Sequence, residues 1–346
     1  MEVIQVLDAL DYGDGVSNDV IDKSLLIKEL GYTTAIYSKY CDDRVAYARK
    51  DIKELQTNTD DIIIHHYSGY SNIIDAIRKC NCKKIFVYHN ITPPEFLDGE
   101  AKKSCEKGLK QLNEIKGFYD YFVGVSDYNV SCLKDMKICK EADVLPIMVD
   151  FGDKDTVKKI KKNDITKFLF VGRIAQNKKI EDVIDLFDYY YNNIDCNSKL
   201  FFIGNDQYFS DYTTMLLDRV KALSSRNNIV FTGKISDELL TKHYQEADVF
   251  VCMSEHEGFC IPVLEGMFYK IPVFAYDAGA ISFTMGDSGV LIKSKQYDEI
   301  SKLIYLVLSN KNLKDKILEA QDTNLLRFSK NSVKEKLSEL IVKWSK

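Results

Sequence analysis

A chain of 346 residues exceeds what one hydrophobic core usually organises, and at roughly 150 residues per domain it predicts two domains. Its 45 % hydrophobic and 29 % charged residues are those of an ordinary globular protein and exclude a disordered or fibrous one. With 47 Lys plus Arg against 52 Asp plus Glu the net charge is −5, so no global positive field exists to hold a polyanion, which argues against nucleic acid as a partner.

From Met1 to Leu10 the chain is a short apolar run with no basic region and no small-residue cleavage site. No later stretch approaches the ~20 apolar residues that span a bilayer, so a cytoplasmic protein is expected. Short apolar runs then alternate with helical patterns, the signature of parallel strands joined by crossover helices. In the first half strands are predicted at Val3–Leu7, Thr34–Tyr37, Ile62–His65, Lys84–His89, Tyr121–Val125 and Val144–Pro146, with helices such as Asn18–Leu30 and Ala101–Lys116 between them. The polar, Lys-rich segment Asp150–Thr166 has linker character and sets the domain boundary after residue 150. Strands follow at Phe168–Val171, Leu200–Ile203, Ile229–Phe231, Val249–Cys252, Val273–Tyr276 and Val290–Ile292, with helices such as Lys179–Tyr191. Beyond residue 328, Val333, Leu337, Leu340, Ile341 and Trp344 fall near one face of a helix over 329–346 that should dock on something. The fold class is α/β throughout.

Nine cysteines are scattered rather than clustered and are expected as reduced thiols. Cys80 and Cys82 with His89 lack the spacing of a metal site, and Asp153-Lys154-Asp155 in the linker reads as a solvated charge run, so no metal is expected.

In open parallel sheets ligands bind beyond the carboxyl ends of strands, which makes the residues after each strand the informative ones. After the first strand, Tyr12-Gly13-Asp14-Gly15-Val16-Ser17-Asn18 is a Gly-bearing turn opening a helix; it either lets backbone amides approach a phosphate or sugar, or is a tight turn and nothing more. It is not the dinucleotide fingerprint, because Asn18 stands where the third glycine would be and Tyr37-Ser38-Lys39 offers no acid for a ribose. His89-Asn90-Ile91-Thr92-Pro93-Pro94 follows the fourth strand, and its paired prolines hold the backbone extended and stop a helix from starting, so His89 can face a cleft from a rigid tip. His65 and His66 also lie at a strand end, whereas His243 sits in a helical pattern and His256 in a loop.

In the second half Gly172-Arg173 ends a strand and Lys178 stands five residues on, so a guanidinium and an ammonium can converge on one diphosphate. Ser254-Glu255-His256-Glu257-Gly258-Phe259-Cys260-Ile261-Pro262-Val263-Leu264-Glu265-Gly266 carries the most information. Pro262 suits a first helical turn, and the amides of Cys260 and Ile261 would point at an anion. Glu257 and Glu265 would repel phosphate unless they bind hydroxyls, so one is read as gripping a sugar and the other a ribose.

Together these segments resemble the retaining GT-B glycosyltransferases of family 4, the glycosyl transferases group 1. Glu257 and Glu265 match the family's Glu-x7-Glu motif, Gly172-Arg173 through Lys178 its Gly-Arg-x4-Lys motif, and Asp277-Ala278-Gly279-Ala280 continues the likeness. The amino-terminal segments from Gly13 to Asp19 and from Tyr88 to Phe96 are similar to one bacterial branch. The resemblance implies two Rossmann-like lobes facing across a deep cleft: an acceptor-binding domain over 1–150, a nucleotide-sugar domain over 151–328, and a final helix over 329–346 packing back toward the first. It implies that Arg173 and Lys178 neutralise the diphosphate of a UDP- or GDP-linked donor, that Glu265 holds the ribose and that Glu257 grips the sugar. It places Phe259, Cys260 and Ile261 at the donor, the backbone of Lys234 and Ile235 along the base, Gly15 near phosphate or acceptor, and His89 beside sugar and acceptor. His89 and Glu257 are the expected catalytic pair, with no cofactor. The expected activity is metal-independent hexosyl transfer, with retention, to a hydroxyl of a saccharide or lipid-linked acceptor in cell-surface glycan synthesis. Two positions depart from the family: Cys260 replaces its usual Gly, and Ser282-Phe283 replaces its usual Pro-Glu.

Other readings are a non-catalytic GT-B partner of another glycosyltransferase, an NAD-dependent oxidoreductase, which lacks its fingerprint here, and a phosphorylase, which needs a pyridoxal lysine and a longer chain. The lysines of Ala101–Lys116 offer either a solvated helix face or a peripheral contact with an anionic membrane.

Overall fold

The computed structural model describes residues 1–149, 152, 164–206 and 210–346. Most of the expected linker, including Asp153-Lys154-Asp155, lies outside the described residues. Two compact units emerge, one of Met1–Asp150 with Arg327–Lys346 and one of Phe151–Leu326.

The first unit's strands are β1 (Val3–Leu10), β2 (Ile36–Cys41), β3 (Arg49–Asp51), β4 (Ile62–Tyr67), β5 (Lys83–Tyr88), β6 (Tyr121–Gly124) and β7 (Asp143–Val144). All pair in parallel, in the order β3-β2-β1-β4-β5-β6-β7. Helices α1 (Gly15–Glu29), α2 (Ile74–Arg78), α3 (Gly99–Glu114) and α4 (Asp127–Asp135) form the crossovers. The central strands are continuous apolar runs, Ile62-Ile63-Ile64 above all, because parallel strands are covered on both faces.

Several local expectations shift for identifiable reasons. Helix α1 begins at Gly15, three residues before the expected Asn18, because the Asp14 carboxylate accepts from the Val16 and Ser17 amides at 3.1 Å and fixes the first turn there. Strand β3 was not expected; its sequence Arg-Lys-Asp carries no apolar signal, as suits a short charged edge strand. The expected strand at Val144–Pro146 is paired only over Asp143–Val144. Pro93 and Pro94 do not prevent helical geometry: Pro94 is the first residue of a 3₁₀ turn, Pro94–Phe96, a position where its missing N–H costs nothing.

The second unit repeats the plan with β8 (Thr166–Val171), β9 (Ser198–Ile203), β10 (Ile229–Phe231), β11 (Val249–Cys252), β12 (Val273–Tyr276) and β13 (Val290–Ile292). Its parallel order is β10-β9-β8-β11-β12-β13. Helices α5 (Ile180–Asn193), α6 (Ser210–Lys221), α7 (Asp237–Glu246), α8 (Ile261–Phe268), α9 (Ile281–Met285), α10 (Tyr297–Ser309) and α11 (Lys311–Leu325) complete it. Phe168, Phe170, Ile184, Phe187 and Phe202 are buried together between sheet and helices.

Helix α12 (Lys330–Trp344), capped by the Ser329 hydroxyl, belongs to the first unit, so the second ends two residues before the expected 328. Its apolar stripe Val333, Leu337, Leu340, Ile341 and Trp344 is buried, Lys330 and Lys334 both reach Glu29 of α1, and Lys343 reaches Asp143 at 2.7 Å. The docking is therefore mainly hydrophobic, since the exposed ion pairs each contribute little. Trp344 is fully buried, but its indole Nε1 has no partner among the described residues. Trp344→Ala should lower the unfolding free energy by about 3–5 kcal/mol, and Trp344→Phe by much less because no hydrogen bond is lost; urea unfolding measures both.

Candidate functional site

In each unit the strand order reverses beside the first strand of its sheet: at β1 and β4 in one, at β8 and β11 in the other. Crossovers leave in opposite directions there, which opens a crevice at the carboxyl ends of the strands. In the second unit the two loops at that point are Gly172–Lys179 and Met253–Cys260, the two segments singled out from sequence.

Glycine makes the close approach of these loops possible. Gly204, at φ +151°, lies so near the Gly172 carbonyl that a Cβ would sit 1.9 Å from its oxygen. Asn177, buried in the 3₁₀ turn Gln176–Lys178, ties one loop to the other: its Nδ2 donates to the His256 carbonyl at 3.1 Å and its own carbonyl accepts from the Glu255 amide at 2.9 Å. Lys178 then donates to both carboxylate oxygens of Glu257, at 2.6 and 2.7 Å. Burial is the largest single influence on the Lys178 ammonium and lowers it, but the charge and hydrogen bonds of Glu257, together with Cys260 and Cys252, outweigh it and hold the group above its usual range. Arg173 is exposed and pairs with no acid among the described residues. Lys234 is exposed too, and it and Ile235 follow Gly233, whose carbonyl accepts from the Gly204 amide at 3.1 Å.

Helix α8 starts at Ile261 with Pro262 in its first turn, and Cys260 caps it in the left-handed region at φ +73°. That conformation favours glycine, so the thiol is carried at a conformational cost. The Val263 amide returns to the Cys260 carbonyl, while the amides of Cys260 and Ile261 precede any intrahelical acceptor. Phe259 is buried, its carbonyl accepts from the Thr284 hydroxyl, and its ring packs 6.4 Å from Phe283, which accounts for an aromatic residue at 283. One turn into α8, Glu265 accepts from the Tyr244 hydroxyl, and burial raises its carboxyl above the usual range.

In the first unit a cavity of about 190 Å³ at the β1–β4 reversal is lined by Asp8, Asp11, Asp14, His66 and Tyr70 among others. Burial, then Asp14 and Asp42, raises the Asp11 carboxyl. Gly15 opens α1 there, but Asp14 already satisfies the first-turn amides, and a carboxylate-lined cavity repels phosphate and welcomes hydroxyls. Gly15 itself lies between Asp14 and Val16, which both line this cavity.

His89 follows β5 and donates its backbone N–H to the Tyr67 carbonyl at 2.9 Å, but its imidazole is enclosed rather than exposed at a tip. Its Nε2 meets His66 Nδ1 at 2.9 Å, His66 Nε2 meets Gln5 Oε1 at 3.1 Å, and Lys23 pairs with Asp19 at 2.5 Å, all buried. Burial and the Lys23 charge hold His89 well below the ordinary histidine range, so both rings are neutral at pH 7. Asp19 and Lys23 were not foreseen, because a Lys four residues after an Asp normally marks a solvated face.

Two clusters, Asp19 with His66 and His89 and Cys252 with Glu257 and Cys260, hold ligand-type atoms within 4.8 Å of one another. In both the carboxylate is already engaged by a lysine, Lys23 or Lys178. Asn177, Tyr244 and Cys252 were also missed; of these only Asn177, inside the Arg173–Lys178 interval, carries a positional signal. Gly279, at φ +59°, underlies Glu257, and a Cβ there would lie 2.6 Å from the Glu257 carbonyl and 2.8 Å from its amide. Gly279→Ala should displace the Glu257 backbone, because alanine there is both crowded and left-handed, and lower the unfolding free energy by about 1–3 kcal/mol in urea.

The profile of the glycosyl transferases group 1 family matches residues 153–323, nearly all of the second unit. An uncharacterized glycosyltransferase of Methanocaldococcus jannaschii is 30 % identical over 159 residues, 45 % of this chain and 39 % of that protein. The chain thus spans about two fifths of the length of that curated relative. Among solved structures, a glycosyltransferase from Rickettsia africae superimposes with a TM-score of 0.78 at 15 % identity, covering 100 % of this chain and 99 % of the other. Anabaena HepE in complex with UDP-glucose gives 0.78 at 14 % identity, over 99 % and 100 % of the two chains. The chain has the two Rossmann-like α/β units of the GT-B glycosyltransferase fold, and its second unit carries a glycosyl transferases group 1 domain.

Proposed function

We propose that this protein is a retaining glycosyltransferase that moves a hexosyl group from a UDP- or GDP-linked donor to a hydroxyl of a saccharide or lipid-linked acceptor. The observation that carries this reading is the Lys178–Glu257 pair, set by Asn177 at the reversal of the second sheet, beside the first turn of α8. The likeness to HepE, solved with UDP-glucose, supports a nucleotide-sugar donor.

Cleaving the bond between sugar and diphosphate makes an oxocarbenium-like centre and puts negative charge on the leaving group. Lys178, Arg173 and the amides of Cys260 and Ile261 supply positive potential for that charge, so the proposed chemistry needs no metal. A diphosphate carries more charge than Glu257 and competes for the Lys178 ammonium. Once released, Glu257 accepts from sugar hydroxyls, and Glu265, kept in place by Tyr244, accepts from the ribose. The backbone of Lys234 and Ile235 borders the base. The acceptor hydroxyl attacks from the face the diphosphate leaves, and a phosphate oxygen takes its proton. The carboxylate-lined cavity of the first unit suits a polyhydroxylated acceptor, and the enclosed, neutral His89 acts there through His66, which it meets at 2.9 Å and which lines the cavity.

With UDP- and GDP-hexoses assayed in turn, Lys178→Met should reduce kcat/KM by about 10²–10³-fold and Arg173→Gln by less, as expected when charge on a leaving group loses a half-buried against an exposed cation. Proton NMR of the fresh product should show the donor's anomeric configuration. An inverted product, or a Lys178→Met enzyme as fast as the parent, contradicts the proposal.

A further inference from the structure

Cys260 stands in a backbone conformation that favours glycine, and its thiol is the second member of a pair. Cys252, the last residue of β11, is buried, and its sulfur, that of Cys260 and a carboxylate oxygen of Glu257 all lie within 4.8 Å of one another. Both oxygens of Glu257 accept from Lys178, so the two sulfurs are left to each other rather than to a shared metal ion. The Ser254 hydroxyl lies 3.3 Å from Cys252 Sγ, and the hydrogen bond from Cys260 holds the Cys252 thiol below its ordinary range although burial opposes it. The Cys260 thiol, by contrast, is held well above its ordinary range by that same hydrogen bond and by burial, with the Lys178 charge opposing. Thiolate character, and with it reactivity, therefore belongs to Cys252, with Cys260 as the protonated partner within reach.

We propose that Cys252 and Cys260 form a reversible disulfide that reduces nucleotide affinity at the adjoining loop. For the effect on nucleotide the inference rests on the donor-site reading above; the disulfide itself does not. With a peroxide as oxidant, one thiolate attacks a peroxide oxygen and the O–O bond breaks, leaving a sulfenic acid and hydroxide. The partner sulfur then attacks the oxidised sulfur, the S–S bond forms and the S–O bond breaks. The two thiol protons complete two waters, and the two electrons lost by the thiols are those gained by the peroxide. Bond formation draws Cys260, the cap of α8, toward the end of β11 and ties off the loop that carries Glu257. The Cys260 and Ile261 amides and the Lys178–Glu257 pair then lose the freedom to adjust to a diphosphate.

The test treats the full chain with hydrogen peroxide, alkylates free thiols, digests without reduction and maps peptides by mass spectrometry, with UDP and GDP titrated in parallel by calorimetry. The expected result is a Cys252–Cys260 linked peptide that dithiothreitol abolishes, together with an affinity about tenfold weaker on oxidation and restored on reduction. In Cys252→Ala the affinity should not respond to peroxide. Recovery of both cysteines alkylated, linkage to other cysteines, or a Cys252–Cys260 link with unchanged affinity overturns the proposal. Should the reduced protein bind neither nucleotide, the donor-site reading fails, and the linked peptide alone decides whether the thiols pair.

Discussion

An ammonium held by both oxygens of a carboxylate, at the point where a parallel sheet reverses its winding, is the interaction on which the second unit's chemistry depends. Neither partner tolerates such burial unpaired, and each makes the other affordable in that place. The two charges also neutralise each other, so under the proposed function a cation is stored there until a diphosphate competes for it. Asn177 fixes the two loops to each other, and Gly204 and Gly279 allow backbone to approach where any larger residue would collide.

A parallel device sits in the first unit. Lys23 and Asp19 are almost wholly buried, and the chain His89–His66–Gln5–Ser24 runs beside them through hydrogen bonds. Burial above all, with the Lys23 charge beside it, keeps both imidazoles uncharged, and Asp8, Asp11 and Asp14 supply the acidic lining of the adjacent cavity. Cations and helix amides thus gather where the second sheet reverses, and carboxylates where the first does.

How much of this was legible follows from what kind of residue carries each signal. Four strands of the second unit, from Ile229–Phe231 to Val290–Ile292, have the boundaries their apolar runs predict, because strands covered on both faces have no polar positions to blur them. The edge strand Arg49–Asp51 has no such run, and the start of α1 was displaced because an Asp cap outweighs a later helix former. Arg173, Lys178, Glu257 and Glu265 stand out by type and spacing, but which acid takes which cation is a tertiary fact. Asp19 and Lys23 are invisible for the same reason, since their spacing is that of a surface helix and only the packing around them makes the pair buried. Cys260 was visible as a departure, whereas its neighbour Cys252 was hidden at the end of an apolar strand.

The central claim is that Lys178, with the first turn of α8, exists to receive a diphosphate. A crystal structure with UDP or GDP bound tests it most directly. The account predicts a phosphate oxygen within about 3.2 Å of Lys178 Nζ and of the Cys260 or Ile261 amide, with Glu257 released from the lysine. A nucleotide bound elsewhere, with the Lys178–Glu257 pair still closed, would contradict it.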